Sequence, residues 1–414
     1  MGEADGGHDP YRALRFRDFR LVLIGSCIAQ FGQQMLTVAL GWELYDRTGS
    51  AVVLGGVGLA QVIPVIALSL PAGVVADRYS RKRIVIVAQA VLALGALGLA
   101  ALSFSHGALL LIYSCLVVIG GASAFSNPAS SALIAQVIPG QAYENAVTWR
   151  SSATQVSAVL GPAAGGFLIG LLHGASWVYV LNAVAALVFV AMLTPLRVRQ
   201  LAERAVGENP LRAVATGLRF LGQTRVLLAA ITLDLFAVLL GGATTLLPIF
   251  ARDILRVGPI GLGWLQAADS VGALCMAVAL AHRPAFTRAG RTLLVAVAGF
   301  GAATIVFGLS RSFALSLLML FLLGALDNIS VVIRSTLVLV RTPDAMRGRV
   351  GAVNALFIGA SNQLGGFESG LAAQLVGPVI AVAAGGVGTL LVALLVAWLW
   401  PEMRRLGTLS DTAP

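Results

Sequence analysis

The apolar residues of this chain fall in long runs, not in stripes. Stretches such as 108–119 and 390–400 carry no charge, and short charged knots separate one run from the next. A helix that crosses a bilayer needs about 20 mainly apolar residues. Lipid offers the backbone no partners, so a spanning segment must be a helix or part of a closed barrel. Barrel strands alternate polar and apolar positions, and these runs do not. The pattern predicts an all-α membrane protein with twelve spans, at roughly 19–44, 51–76, 83–104, 108–135, 147–172, 175–195, 226–250, 259–281, 291–310, 313–339, 350–376 and 379–400. Several exceed the minimum length and should tilt.

The widest gap between spans, 196–225, contains Arg197, Arg199, Glu203, Arg204, Glu208, Arg212, Arg219 and Arg225. It reads as a cytoplasmic linker with a short amphipathic helix around Leu211–Leu221. The linker divides the chain into an N-terminal six-helix bundle, 1–195, and a C-terminal one, 226–414. An internal repeat supports two pseudo-symmetric halves. A shift of 204 residues brings Pro139 onto Pro343 and Gly161 onto Gly365, and each proline precedes a span with a glycine cluster.

Composition narrows the class. Of 414 residues 58% are hydrophobic and 11% charged, against about a quarter charged in an ordinary soluble domain. The net charge of +10 could point to nucleic acid, but its placement gives a better account. With the N-terminus in the cytoplasm, all of the 28 Lys and Arg residues except Arg47, Arg252, Arg256 and Arg311 fall on or towards the cytoplasmic side. Cytoplasmic loops carry such an excess, so both termini are expected inside and no nucleic-acid partner is needed. Cys27, Cys115 and Cys275 each lie in an apolar run without metal or disulfide spacing and read as buried small apolar residues. The four histidines lie in loops or at span ends. No cofactor, metal site or secretory signal is expected, and no nucleophile-base set suggests an enzyme. The sequence has a single lysine, Lys82, and no phosphate-cradling Gly-x4-Gly-Lys motif, so ATP is not the direct energy source.

Three motifs stand out. Gly73-Val74-Val75-Ala76-Asp77-Arg78-Tyr79-Ser80-Arg81-Lys82-Arg83 joins the second and third spans. The repeat-related stretch 277–287 has Ala281 in place of the aspartate. Gly161-Pro162-Ala163-Ala164-Gly165-Gly166 lies in the fifth span, where small residues favour close helix packing and proline bends the helix. Arg341-Thr342-Pro343-Asp344-Ala345-Met346-Arg347-Gly348-Arg349 precedes the eleventh, and Glu208-Asn209-Pro210-Leu211 and Gly217-Leu218-Arg219-Phe220-Leu221 lie in the linker.

The first motif resembles the loop signature of major facilitator transporters, and the second resembles the helix signature of their exporter branches. With the third, the chain as a whole is similar to the bacterial subfamily that contains the enterobactin exporter and multidrug or macrolide efflux proteins. The resemblance implies a major facilitator fold and a monomer in the bacterial inner membrane. It implies that Gly73, Asp77, Arg78, Arg81, Lys82 and Arg83 form a conformational latch bracing one half against the other, and that Gly161, Pro162, Gly165 and Gly166 form the exporter-type helix motif.

Ionisable residues inside spans are costly and usually face a water-filled cavity. Asp234, Asp269, Asp327 and Glu368 lie in spans seven, eight, ten and eleven, and Arg334 also in span ten. Asp327 and Arg334 are seven residues apart, nearly two turns, so they should look into one space without necessarily touching. Asp234 and Asp269 are the alternative proton carriers. Asp269 could instead satisfy a backbone group or Gln266, and Glu368 could serve packing beside Gly365 and Gly366. Gln30 is the repeat counterpart of Asp234, and with Gln33 and Gln34 it gives the first span a polar side. Arg150 is a candidate for a gate or a salt bridge. The expected function is secondary active transport by alternating access, as a proton-coupled exporter of small organic molecules such as drugs or siderophore-like compounds. Partners are then the substrate, protons and membrane lipids. The alternatives are nutrient uptake on the same fold and a non-transporting membrane sensor.

Overall fold

The computed structural model describes residues 9–196, 210–284 and 286–408, and all of their regular structure is helical. Helices α1 (Arg17–Thr48), α2 (Ala51–Arg78), α3 (Arg81–Phe104), α4 (Leu109–Val137), α5 (Tyr143–Leu172) and α6 (Ser176–Leu193) occupy the first six predicted spans. The amphipathic linker helix is α7 (Pro210–Gln223). Residues 197–209, with most of the linker charges, lie outside the described residues.

The second half continues with α8 (Arg225–Leu240), α9 (Leu247–Ile249), α10 (Gly258–Ala281), α11 (Ala289–Leu309), α12 (Phe313–Arg341), α13 (Arg347–Val376), α14 (Pro378–Leu399) and the short α15 (Pro401–Arg405). The seventh predicted span is not one smooth helix. It breaks after Leu240 at Gly241-Gly242, passes through a 3₁₀ turn at Ala243–Leu246 and α9, and ends in a π-helical turn at Phe250–Ile254. A Cβ at Gly242 would sit 2.8 Å from the Gly365 carbonyl of α13, so the break lets two backbones approach closely.

Among the described residues eleven helices are long and apolar enough to cross a membrane, against the twelve expected. The one outside that set is α13, which is 30 residues long but carries Asn354, Ser361, Asn362, Gln363 and Glu368 among its apolar positions. Large apolar side chains that stay exposed, such as Leu94, Leu110, Val295, Leu394 and Trp398, suit a surrounding of lipid. Cys275 is exposed as well, and Cys27 and Cys115 are only partly covered. The expectation of three buried cysteines therefore fails, because a thiol is apolar enough to face hydrocarbon.

The repeat is closely kept in the backbone. A shift of 204 residues carries α4 onto α12, the 3₁₀ turn Gly140–Ala142 onto Asp344–Met346, and α5 onto α13, with the same first and last positions. Packing repeats as well: α3 packs on α4 and α6, and its counterpart α11 packs on α12 and α14.

The chain forms two compact units. The first holds residues 1–36, 64–161 and 176–205, and its core includes Phe19, Val85, Leu133, Ile134, Phe189 and Leu193. Lys82 Nζ caps the end of α6 there, donating to the carbonyls of Thr194 at 2.7 Å and Leu196 at 2.8 Å. The second unit holds residues 37–63, 162–175 and 206–414, with Leu227, Leu233, Leu293, Ile333, Leu337 and Val396 in its core. Helices α1, α2 and α5 are shared between the units. Two of the crossover points fall at prolines, Pro64 and Pro162, where a missing N–H bends a helix.

Candidate functional site

The second unit contains a buried charged cluster. Asp234 on α8 forms an ion pair with Arg334 on α12, and the two residues are 7% and 4% exposed. A guanidinium at this depth needs a counter-charge and hydrogen bonds. Its partner is Asp234, on another helix, and not Asp327, two turns earlier on its own. Asp327 nonetheless faces the same space: with Asp234, Phe300 and Ser330 it lines a cavity about the size of one water.

Asp269 joins the cluster through a glycine. Helices α10 and α12 cross so closely that a Cβ at Gly324 would meet the Asp269 backbone carbonyl, with Asp269 Oδ1 at 3.0 Å. Gly324 lies one turn before Asp327, and the carboxyls of Asp269 and Asp327 are within electrostatic reach of each other. Glu368 is set apart. It is exposed, accepts the Ser369 hydroxyl at 3.4 Å, and lines none of the described cavities.

In the first unit the polar residues line a larger cavity, of about 460 Å³. Gln30 and Gln33 belong to its wall, and Gln34 does not. The Gln34 side chain packs instead under Gly161, where a Cβ would lie 2.5 Å from the Gln34 Cβ. Arg150 lines the same cavity and donates to the Ser131 hydroxyl at 3.1 Å.

Within the second unit, Gly166 and Pro162 of the exporter-type motif meet a partner helix. A Cβ at Gly166 would lie 2.9 Å from the Cα of Gly263 on α10, and one at Gly263 would lie 2.6 Å from the Pro162 carbonyl. The repeat generates a second crossing of this kind. Gly370 on α13, the counterpart of Gly166, would bring a Cβ 2.6 Å from the Ala51 carbonyl and 3.1 Å from the Gly55 Cα of α2. Gly165 is buried. These are contacts that only glycine allows.

In the predicted latch, the side chain of Asp77 lies outside the described residues. A Cβ at Gly73 would meet nothing within 4 Å among the described residues. Arg78 is exposed, Arg81 reaches the Ala132 carbonyl at 3.4 Å, and Lys82 is the α6 cap.

One group escaped the sequence reading. At the ends of α1 and of the broken seventh span, both in the second unit, the Tyr45 hydroxyl donates to Asp253. Arg252 pairs with Asp46 at 3.1 Å, donates to the Tyr45 carbonyl at 3.1 Å and lies 5.6 Å from the Tyr45 ring centroid. Charges at span ends read as flanks, and their pairing across 206 or more positions leaves no local signal.

Shared crossing helices, a twofold repeat and polar groups buried at membrane depth define a polytopic carrier of the major facilitator type. A family profile described as transmembrane secretion effector matches residues 8–408, and the chain belongs to that family. The multidrug efflux pump Tap of Mycolicibacterium fortuitum is 26% identical, over 94% of this chain and 97% of its own length. The enterobactin exporter EntS of Shigella flexneri is also 26% identical, over 94% and 92%. Among solved structures, a mutant of the nucleoside transporter NupG superposes with a TM-score of 0.74 at 14% identity, covering 92% of this chain and all of its own. A bacterial homolog of the lysosomal transporter Spinster gives 0.73 at 15% identity, covering 96% and 99%. These likenesses show the fold. The protein is a membrane-embedded secondary transporter of small organic molecules and not an enzyme.

Proposed function

We propose that this transporter is a proton-coupled exporter in the bacterial inner membrane, working as a monomer with both termini in the cytoplasm. The observation that carries the reading is the buried Asp234–Arg334 pair with Asp327 and Asp269 beside it. Arg334 holds Asp234 as its counter-charge, while Asp327, nearly two turns away on the same helix, has no such partner among the described residues. A proton neutralises Asp327 while its small cavity is closed, and a rearrangement that opens that cavity to water releases the proton. More than one of these acids titrates in such a cluster. Export as the direction is supported by the relatives named as an efflux pump and an exporter and by the Gly161–Gly166 motif.

The charge distribution puts Tyr45, Asp46, Arg252 and Asp253 on the outer side. The glycine crossings of α5 on α10 and of α13 on α2, with this polar group, then form an outer seal that must part for substrate to leave. Pro64 and Pro162, at the crossover points of α2 and α5, are the hinges. The Gly73–Arg83 loop is the inner latch that holds the opposite state, with Asp77 at its centre.

The test is Asp327→Asn in proteoliposomes with an imposed pH gradient. The variant should lose gradient-driven export while still binding substrate. Export against a gradient with unchanged pH dependence would remove Asp327 as carrier, and net accumulation in the direction of uptake would overturn the exporter reading.

A further inference from the structure

The repeat gives Asp234, Asp327 and Arg334, with the neighbouring Ser330, polar counterparts in the other unit, whereas Asp269 corresponds to the apolar Val65. Asp234, Asp327, Ser330 and Arg334 correspond under the 204-residue shift to Gln30, Ser123, Ser126 and Ser130. All four counterparts line the same cavity, the one of about 460 Å³ in the first unit. The same framework is therefore used in two ways. Where one unit places charges around a space for one water, the other places amides and hydroxyls around a space of the size small-molecule sites occupy, roughly 300–1,000 Å³.

The wall chemistry is specific. Gln30 and Asn127 are exposed in the middle of spanning helices, which lipid would penalise and a polar cavity does not. Two bonds hold the wall in place: Gln89 donates to the Ser126 hydroxyl at 3.3 Å, and the Thr154 hydroxyl donates to the Gln30 side-chain amide oxygen Oε1 at 3.2 Å. Among the lining residues there is no carboxylate, and Arg150 is the one formal charge. Its exposed guanidinium spends a bond on Ser131 and keeps further N–H groups for a ligand. Amides and hydroxyls match hydroxyl and phenol groups as both donors and acceptors. A guanidinium matches a carboxylate or another anion. An organic cation would meet Arg150 and find no counter-charge in the wall, which is costly away from water.

We propose that this cavity is the substrate-recognition site, and that it takes neutral to anionic compounds rich in hydroxyl or carboxylate groups while discriminating against organic cations. The proposal rests on the transport reading above and assigns recognition to the first unit and coupling to the second.

The test uses the full-length protein in lipid nanodiscs and three fluorescent probes: 4-methylumbelliferyl glucoside, the matching glucuronide, and ethidium. Equilibrium dialysis should show binding of both glycosides and at least tenfold weaker binding of ethidium. Arg150→Gln should weaken the glucuronide about tenfold and the glucoside less than twofold, and Arg150→Lys should restore part of the glucuronide affinity. Asn127→Leu should weaken both. Glucoside binding also reports that the Arg150 variants are folded. Failure of both glycosides to bind, ethidium binding as tight as theirs, or an Arg150→Gln variant with unchanged glucuronide affinity would each overturn the proposal. Proton-gradient-driven flux of the same probes separates the two readings. Ethidium flux without glycoside flux overturns the substrate class and leaves the exporter reading. Glycoside binding with the expected Arg150 effect but no gradient-driven flux overturns the coupling and leaves the recognition site.

Discussion

The Asp234–Arg334 pair makes a quantitative prediction. Both side chains are nearly inaccessible, at 9% and 5% exposure, so removing one leaves the other charged and desolvated. Breaking a buried pair in this way costs about 3–5 kcal/mol, whereas replacing both partners by apolar groups of similar volume is often close to neutral. Asp234→Leu and Arg334→Met should each lower stability by that amount, roughly two to four powers of ten in the folded-to-unfolded ratio. Asp327 is nearly two turns away on α12, about 10 Å along the axis, and is poorly placed to rescue Arg334 in the Asp234 variant. The double variant should therefore recover most of the loss, giving a coupling of at least about 2 kcal/mol in a double-mutant cycle. Denaturant unfolding in a mild detergent, followed by circular dichroism, measures it. All three variants should lose gradient-driven transport, the stable double variant included, because coupling needs the charges and stability does not. If the double variant falls by the sum of the single losses, the pair makes no coupled contribution. If it retains full transport, the cluster is structural.

Further expectations concern other parts of the carrier. Gly263→Ala and Gly370→Ala should each cut transport more than tenfold, since their methyl groups would lie 2.6 Å from a backbone carbonyl of the facing helix; Gly73→Ala, with nothing within 4 Å of its new methyl among the described residues, is the control for folding and should fold normally. Labelling of single cysteines near Tyr45 and Arg252 should rise in the first two variants, and unchanged labelling would refute the seal. Asp77→Asn should lower the transport rate with substrate affinity nearly unchanged, and a normal rate would refute the latch. Lys82→Met should cost about 1 kcal/mol through loss of the α6 cap, seen as a lower melting temperature, whereas Lys82→Arg should recover part of it.

Helix-forming segments and their approximate limits are legible in this sequence because hydrophobicity and backbone hydrogen bonding are local properties of a chain in lipid. The repeat is legible for the same reason: Pro139 and Pro343 each stop one helix and start the next at corresponding positions, and the backbone keeps that register. Broken span seven and polar α13 are where this reasoning weakens, since neighbouring helices compensate there for lost backbone bonds and polar groups. The candidate charges were also visible, because an ionisable residue in an apolar run is conspicuous. Their partners were not. Asp327 and Arg334 share a helix, and their spacing could be read, but Arg334 pairs with Asp234, a hundred positions away on another helix. Gln34 sits beside Gln33 in sequence and turns to Gly161, while Gln33 turns to the cavity. Gly263 has no motif around it, yet it faces Pro162 and Gly166 at backbone distance. What separates these cases is the rotation and crossing of one helix against another, which depends on side chains from several spans at once. The membrane helices, the two related halves and the inventory of buried polar groups are local properties and can be read along the chain. Which of those groups meet depends on interhelical packing, which spacing along one chain does not encode.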